Sequence, residues 1–208
     1  MIVMLDTSHS FDECEKELGY PVEQLFTPLT RFRPQRPDAK FAIDNGAFSK
    51  FDANGFRALL EREKPRKALC RWVAAPDVVG SARRTLEAFR GWREELHNHK
   101  GWPLALVCQD GQEDLPIPWD DIVAVFIGGS TKWKESDHAV ACVKAAKVLG
   151  KWVHVGRVND PSRFEMFEKL GADSVDGSGI ARYSWMRERI GSRNGDHTLF
   201  PKSELVNL

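Results

Sequence analysis

The chain has 208 residues, and its 30 Lys and Arg balance 30 Asp and Glu, so the formal net charge is zero. Hydrophobic residues make up 42% of the chain and charged residues 29%. These values are typical of a globular protein and exclude a disordered chain, a collagen-like chain and a strongly basic nucleic-acid coat. A chain of this length can bury a core without disulfides, and we predict one domain over residues 1–208.

The sequence lacks the segments that mark membrane and secreted proteins. Its longest apolar runs fall far short of the ~20 residues of a membrane span. The N-terminal residues MIVMLDTSHS have neither a basic region nor a small-residue cleavage site. We therefore expect a cytoplasmic protein with no membrane partner.

The cysteines are dispersed along the chain, at positions 14, 70, 108 and 142, and form no CxxC pair. This spacing favours free buried thiols over disulfides or a zinc site. We expect no metal and no other cofactor.

Short apolar segments rich in β-branched residues recur along the chain and predict seven strands. They cover residues 2–5, 41–43, 72–75, 104–108, 123–127, 152–155 and 174–175. Helical spacing of apolar residues lies between them, around residues 82–96 and 139–149, and Asp160-Pro161 predicts the start of a further helix that stops at Gly171. Residues 31–40 predict a basic loop, and residues 188–208 a polar, irregular C-terminal tail.

Strands that alternate with helices predict a parallel sheet with right-handed crossovers. Seven strands nearly suffice for a (β/α)8 barrel, although such barrels usually need ~250 residues and rarely fewer than ~200. We therefore predict an α/β fold: a compact, degenerate (β/α)8 TIM-type barrel with parallel strands, in which at least one strand or helix is reduced.

Polar residues and glycines follow most of the predicted strands. They include Asp44, Asp77, Gln109, Gly128, Gly129, Gly156 and Asp176. In a parallel barrel these strand ends lie on the face that holds the active site. A single carboxylate at such a position often caps a helix, and we interpret Asp6 in this way, but capping alone does not account for the whole set.

Several of these residues lie in segments that resemble a known family. The segments FAIDNGAF, VAAPDVVG, ALVCQDG, VFIGGSTKWK and VHVGRVNDPSRFEMFEKLGADSVDGSG keep their order over about residues 41–182. They resemble the tRNA-guanine transglycosylase superfamily, and more closely its short phage and bacterial DNA-modifying branch, the deoxypurine-in-DNA protein A family. The resemblance implies a (β/α)8-type barrel that exchanges guanine for a free 7-deazaguanine base in an intact strand of DNA or tRNA.

The resemblance also implies roles for individual residues. Asp176 matches the carboxylate nucleophile and Asp44 the general acid/base. Asp77, Gln109 and the Gly128-Gly129 turn match the groups that hold the base.

The chain departs from the family's pattern at three points, and one is that the basic motif that follows the nucleophile in the tRNA enzymes is reduced to GSGIAR. Asp173 precedes Asp176 by three residues and is a second candidate for the nucleophile, because the DNA branch often keeps an Asp there. The cysteine-rich zinc cluster of the tRNA enzymes is absent. The choice between DNA and RNA, the identity of the incoming base and the occurrence of a homodimer remain open.

The residue types agree with this chemistry. A carboxylate nucleophile lets base exchange at C1′ proceed by two displacements with retention of configuration. The two carboxylate oxygens of Asp77 can accept from guanine N1–H and from its amino group, and Gln109 can both donate and accept. The N–H groups of Gly128 and Gly129 could donate to guanine O6.

Clusters of cations predict contacts with a nucleic-acid strand. We favour Lys132, Trp133 and Lys134, which follow a strand end and combine cations with a stacking surface. Arg157 and Arg182 are candidates for phosphate or ribose contacts, whereas His154 is interpreted as a core histidine.

Two other functions fit the same residues less well. A nucleoside deoxyribosyltransferase or hydrolase would use the same carboxylates on free nucleosides. A non-catalytic nucleic-acid-binding barrel would not require three carboxylates at strand ends. The convergent carboxylates could also bind Mg²⁺, which we weigh as less favourable because a cation would occupy the nucleophile.

Overall fold

The computed structural model describes residues 1–98 and 100–195 and contains a closed barrel of eight parallel strands. The strands are β1 (Ile2–Leu5), β2 (Val22–Phe26), β3 (Phe41–Ile43), β4 (Cys70–Ala74), β5 (Leu104–Cys108), β6 (Ala124–Ile127), β7 (Trp152–Val155) and β8 (Ser174–Asp176). Each strand pairs with the next, and β8 closes the barrel on β1 with Val3 opposite Val175. The predicted TIM-type barrel is confirmed.

All seven predicted strands are present, but the sequence pattern missed β2. Its residues VEQLF read as polar at Glu23 and Gln24. Glu23 accepts from the distant Arg71 at 2.6 Å, and the Gln24 amide donates to the carbonyls of Leu5 on β1 and of its neighbour Leu25. Polar residues on a buried strand need such partners, and a linear pattern cannot show them.

Helices cover the outside of the barrel. They are α1 (Phe11–Leu18), α2 (Ala53–Glu63), α3 (Ala82–Arg93), α4 (Thr131–Lys134), α5 (Asp137–Val148), α6 (Pro161–Lys169), α7 (Ser178–Arg182) and α8 (Ser184–Gly195). As predicted, α6 begins at Pro161, and its N-cap Asp160 accepts from two backbone N–H groups.

The reduction that we predicted falls on two helices rather than on a strand. Residues 27–40, between β2 and β3, are all described and contain no helix. The connection from β5 to β6 has only short 3-10 turns at Gln112–Asp114 and Trp119–Asp121. Because two connections lack a full helix, eight strands can close into a barrel within 208 residues.

The C-terminal prediction is wrong for its first part. Residues 188–195 continue α8, in which the buried Arg187 forms an ion pair with Glu17 of α1. Residues 196–208 lie outside the described part of the chain. No helix within residues 1–98 and 100–195 is long and apolar enough to cross a membrane.

Side chains of alternate strand residues fill the barrel interior. The apolar set comprises Met4, Leu25, Ala42, Trp72, Ala74, Ala105, Val107, Ala124 and Phe126. The alanines leave room for the large rings of Trp72 and Phe126, which contact edge to face at 5.7 Å. The same inward positions turn polar at the carboxyl ends of the strands, and this change places the candidate site.

Candidate functional site

A cavity opens at the carboxyl ends of the strands, and we call it the central cavity. Its lining comprises Asp44, Asn45, Phe48, Asp77, Val79, Val107, Gln109, Phe126, Gly128, Arg157 and Asp176. The structure therefore brings together five of the residues singled out from strand ends, and it adds an apolar wall that the sequence pattern did not identify.

Asp176 ends β8 and is held by two hydrogen-bond donors. Its Oδ2 accepts from Nε2 of His154 at 2.9 Å, and its Oδ1 accepts from the backbone N–H of Arg157 at 2.9 Å. The side chain is only 14% exposed. Two donors on different oxygens fix the plane of the carboxylate at the cavity wall.

His154, interpreted from the sequence as a core histidine, is buried but also contacts the site. Its ring lies 4.6 Å from the rings of both Trp72 and Phe126. Its Nδ1 lies 2.9 Å from Ser174 Oγ, which accepts from the indole N–H of Trp152. The serine hydroxyl can therefore donate to Nδ1, which places the proton of a neutral ring on Nε2, facing Asp176.

The contact of His154 with Asp176 could have been predicted from strand alternation. His154 lies on β7 two residues before Gly156, and Ser174 lies on β8 two residues before Asp176, so both pairs share the inward face. The register pairs His154 with Ser174.

Asp44 follows β3, and its Oδ1 accepts from the N–H of Gly46 at 2.9 Å. Burial, and next the negative charge of Asp176, raise the pKa of Asp44 from 3.8 to about 7. Asp44 is therefore a carboxyl group that can exchange a proton near neutral pH.

Asp77 is oriented by two amides. Its Oδ1 accepts from Nδ2 of Asn45 at 2.9 Å, and its Oδ2 accepts from Nε2 of Gln109 at 2.6 Å. Burial raises the pKa of Asp77. Asn45 was missed as a functional candidate, although it lies within the DNG turn.

The structure corrects the predicted roles of Gln109 and of the glycine turn. Gln109 Oε1 already accepts from the N–H groups of Gly80 and Gly129 and one amide N–H donates to Asp77, so only the second amide N–H can serve a ligand. The N–H of Gly128 donates to the carbonyl of Cys108. The predicted contact of the two glycine N–H groups with O6 is therefore wrong. Gly128 instead avoids a Cβ, which would lie 2.8 Å from Val107 Cγ1.

Arg157 lies at the mouth of the central cavity. It has a φ of +59°, the left-handed region, and this turn directs its N–H to Asp176. Its guanidinium lies 4.2 Å from the centre of the Phe48 ring and donates to the carbonyl of Gly129. Phe48 is 65% exposed, so the pair forms an apolar and cationic rim.

A second cavity adjoins the central one. Its lining comprises Met4, Asp6, Thr7, His9, Leu25, Thr27, Asp44, Asp176, Gly177, Ser178, Ala181 and Arg182. Asp44 and Asp176 line both cavities and therefore stand between them. Arg182, predicted to contact nucleic acid, lines only the second.

The interpretation of Asp6 as a helix cap is wrong. Its carboxylate accepts from the hydroxyls of Thr27 at 3.0 Å and Thr30 at 2.8 Å, and α1 is capped by Ser10 instead. The two threonines fix the start of the long β2–β3 loop.

Asp173 does not belong to the site. It precedes β8 and so lies at the opposite end of the strand from Asp176. There it binds Lys147 at 2.8 Å and accepts from the N–H of Val153. The alternative assignment of Asp173 as nucleophile is therefore wrong on position.

The predicted surface of Lys132, Trp133 and Lys134 is mostly buried. Only Lys132 is exposed. Trp133 donates from its indole to Glu113, and Lys134, 1% exposed, donates to the carbonyl of Gly156 at 2.6 Å. The short helix α4 packs Trp133 and Lys134 inward, so these two residues do not form a stacking surface.

The remaining question about the described residues is whether cysteines or acidic residues form a disulfide or a metal site. Cys14, Cys70, Cys108 and Cys142 are free thiols. Among residues 1–98 and 100–195, no three His, Cys, Asp or Glu side chains lie close enough to hold a metal ion.

No protein-family model and no curated protein matches the chain.

Replacing Asp44 by Asn should stabilise the protein at neutral and higher pH. The raised pKa means that the folded protein holds this proton more tightly than the unfolded chain. Wild-type stability therefore falls as the pH rises from about 4 to about 7 and the folded carboxyl ionises. Thermal melts across this range should show Asp44→Asn gaining over wild type, with the difference level above pH 7.

The exposed Asp38 supplies the control, and Asp38→Asn should show no such trend. An Asp44→Asn variant with the same pH dependence of melting as wild type would contradict the assigned burial and charge of Asp44.

Proposed function

We propose that this protein is a nucleic-acid guanine transglycosylase, which exchanges guanine for a 7-deazaguanine base in DNA through a covalent Asp176 intermediate. The observation that supports it most is the arrangement of the central cavity. Asp176 and Asp44 stand where two cavities meet, and Asp77 faces the central one between two orienting amides. The resemblance to the transglycosylase superfamily agrees with this arrangement.

Guanine is the purine that the central cavity suits. Asp77 can accept from N1–H and from the exocyclic amino group, and adenine lacks this pair of donors. Asn45 and Gln109 hold the carboxylate in place before the base arrives, which reduces the cost of ordering it. Val107, Phe126 and Phe48 offer apolar surfaces to the ring faces.

In the first displacement, a carboxylate oxygen of Asp176 forms a bond to C1′ while the bond from C1′ to the purine N9 breaks. The electron pair of that bond goes to the purine, which takes a proton from Asp44. The strand then remains intact, with its sugar esterified to Asp176. His154 and the Arg157 N–H keep the attacking carboxylate aimed at the boundary of the two cavities.

In the second displacement, the incoming base gives its N9 proton to Asp44 and attacks C1′. The bond between C1′ and Asp176 breaks, and the carboxylate recovers its electron pair. Two inversions give overall retention. A pKa of about 7 suits a group that must donate in one step and accept in the next.

Asp176→Asn should abolish formation of the covalent intermediate, because an amide is a poor nucleophile. Wild-type protein incubated with a guanine-containing oligonucleotide and no free base should yield, by mass spectrometry under denaturing conditions, protein plus a strand lacking guanine. The matched control Asp173→Asn should form the same adduct, since Asp173 lies at the far end of β8. An adduct in Asp176→Asn and none in Asp173→Asn would overturn the assignment.

His154→Phe should lower kcat for base exchange by about ten- to a hundredfold. The reason is that a buried acceptor that loses its hydrogen-bond donor costs about 1–3 kcal/mol. The ring would still fill the space between Trp72 and Phe126. KM for the free base should stay unchanged, because His154 does not line the central cavity. His154→Gln can present an N–H near the Nε2 position and should recover most of kcat.

An unchanged kcat in His154→Phe would remove His154 from its positioning role. A rise in KM equal to the fall in kcat would indicate a general loss of structure instead.

A further inference from the structure

A third cavity, of about 290 Å³, lies beside the central one, between the β2–β3 loop and α2. Arg31, Lys50 and Arg62 contribute cationic side chains to its lining, and Asp52 is the acidic residue among the lining residues. We call it the basic cavity. It was not evident from the sequence, because Arg31 and Lys50 belong to different connections.

Two of the three cations of the basic cavity, Arg31 and Lys50, have no ion-pair partner among the described residues. Arg62 donates to Glu63 at 2.8 Å, but Glu63 is shared with Arg66. In the described part of the chain no carboxylate forms an ion pair with Arg31 or Lys50. Asp52 is engaged as the N-cap of α2, where its Oδ1 accepts from two backbone N–H groups.

The loop that carries Arg31 is held in place. Thr27 and Thr30 bind Asp6, and farther along the loop Arg36 donates to Glu15 at 2.8 Å and to Asp12. The cations of the predicted basic loop therefore differ in what they contact. Arg36 forms ion pairs with α1, whereas Arg31 lines the basic cavity. A cation on an anchored loop loses less entropy when it binds an anion.

The basic cavity adjoins the catalytic groups through a single turn. Asp44 and Asn45 line the central cavity, and the next residue, Gly46, lines the basic cavity. A ligand anchored by its base beside Asp44 can therefore extend into the basic cavity without leaving the surface.

We propose that the basic cavity binds backbone phosphates of the substrate strand that flank the exchanged nucleotide. This inference rests on the proposed function. The cavity combines uncompensated cations, an anchored loop and continuity with the base site, which together fit a polyanion whose target base lies in the central cavity. Net charge zero is compatible with this path, since Arg31 and Lys50 supply local positive charge where the strand would pass.

The test is the salt dependence of binding of a guanine-containing single-stranded oligonucleotide, followed by fluorescence anisotropy. Each lost phosphate contact lowers the slope of log K against log salt by about 0.7 for a single strand. The double variant Arg31→Ala/Lys50→Ala should therefore lower the slope by about 1.4. Its affinity for free guanine, measured by calorimetry, should match wild type.

The matched control is Arg90→Ala/Lys144→Ala, which removes the same two residue types from exposed positions on α3 and α5. Its slope should equal that of wild type. Equal reductions in both double variants would assign the effect to net charge and overturn the inference.

The remaining outcomes separate the inference from the function on which it rests. Tight wild-type binding with an unchanged slope in Arg31→Ala/Lys50→Ala would overturn the strand path and leave the transglycosylase proposal intact. Inorganic phosphate that binds wild type and not this variant, with an unchanged oligonucleotide slope, would assign the cavity to a free anion. A wild-type protein that binds no oligonucleotide would overturn both proposals.

Discussion

The burial of Asp44 beside the negative charge of Asp176 is the constraint on which the site depends. Two carboxyl groups at the boundary of two cavities cannot both ionise easily in a buried setting. Asp176 has two hydrogen-bond donors and Asp44 has one, from Gly46. Burial, and next the charge of Asp176, raise the pKa of Asp44 to about 7, and the proposed function assigns Asp176 as the nucleophile and Asp44 as the acid/base.

The donors that hold Asp176 depend on neighbouring strands. Gly156 lacks a Cβ because that atom would lie 2.4 Å from Phe126, so β7 can approach the ring. Arg157 then takes a left-handed conformation, which costs a residue with a side chain about 1–2 kcal/mol, and this turns its N–H to the carboxylate. The buried Lys134 binds the Gly156 carbonyl from behind. Burial lowers the pKa of Lys134 to about 8, and its charge offsets that of the acidic cavity.

Much of the barrel could be predicted because its strands are short, apolar and separated by capped helices. β2 could not, since Glu23 pairs with Arg71 of β4 and Gln24 donates to Leu5 of β1, and only the folded barrel supplies these two partners. The same reason explains the errors in the site. Asp44, Asp77 and Asp176 follow strands and could be placed on one face by topology alone. The partners of Asp173, Trp133 and Lys134 lie 20 or more residues away along the chain, so their burial depends on tertiary contacts.

The transglycosylase proposal is tested most directly by the transfer of labelled base into an intact strand. Wild-type protein would be incubated with a guanine-containing DNA oligonucleotide and radiolabelled free guanine, with labelled adenine as the control for the Asp77 contact. Label from guanine, and none from adenine, should enter the full-length strand without scission. Release of guanine with no incorporation, or exchange only on free nucleosides, would contradict it.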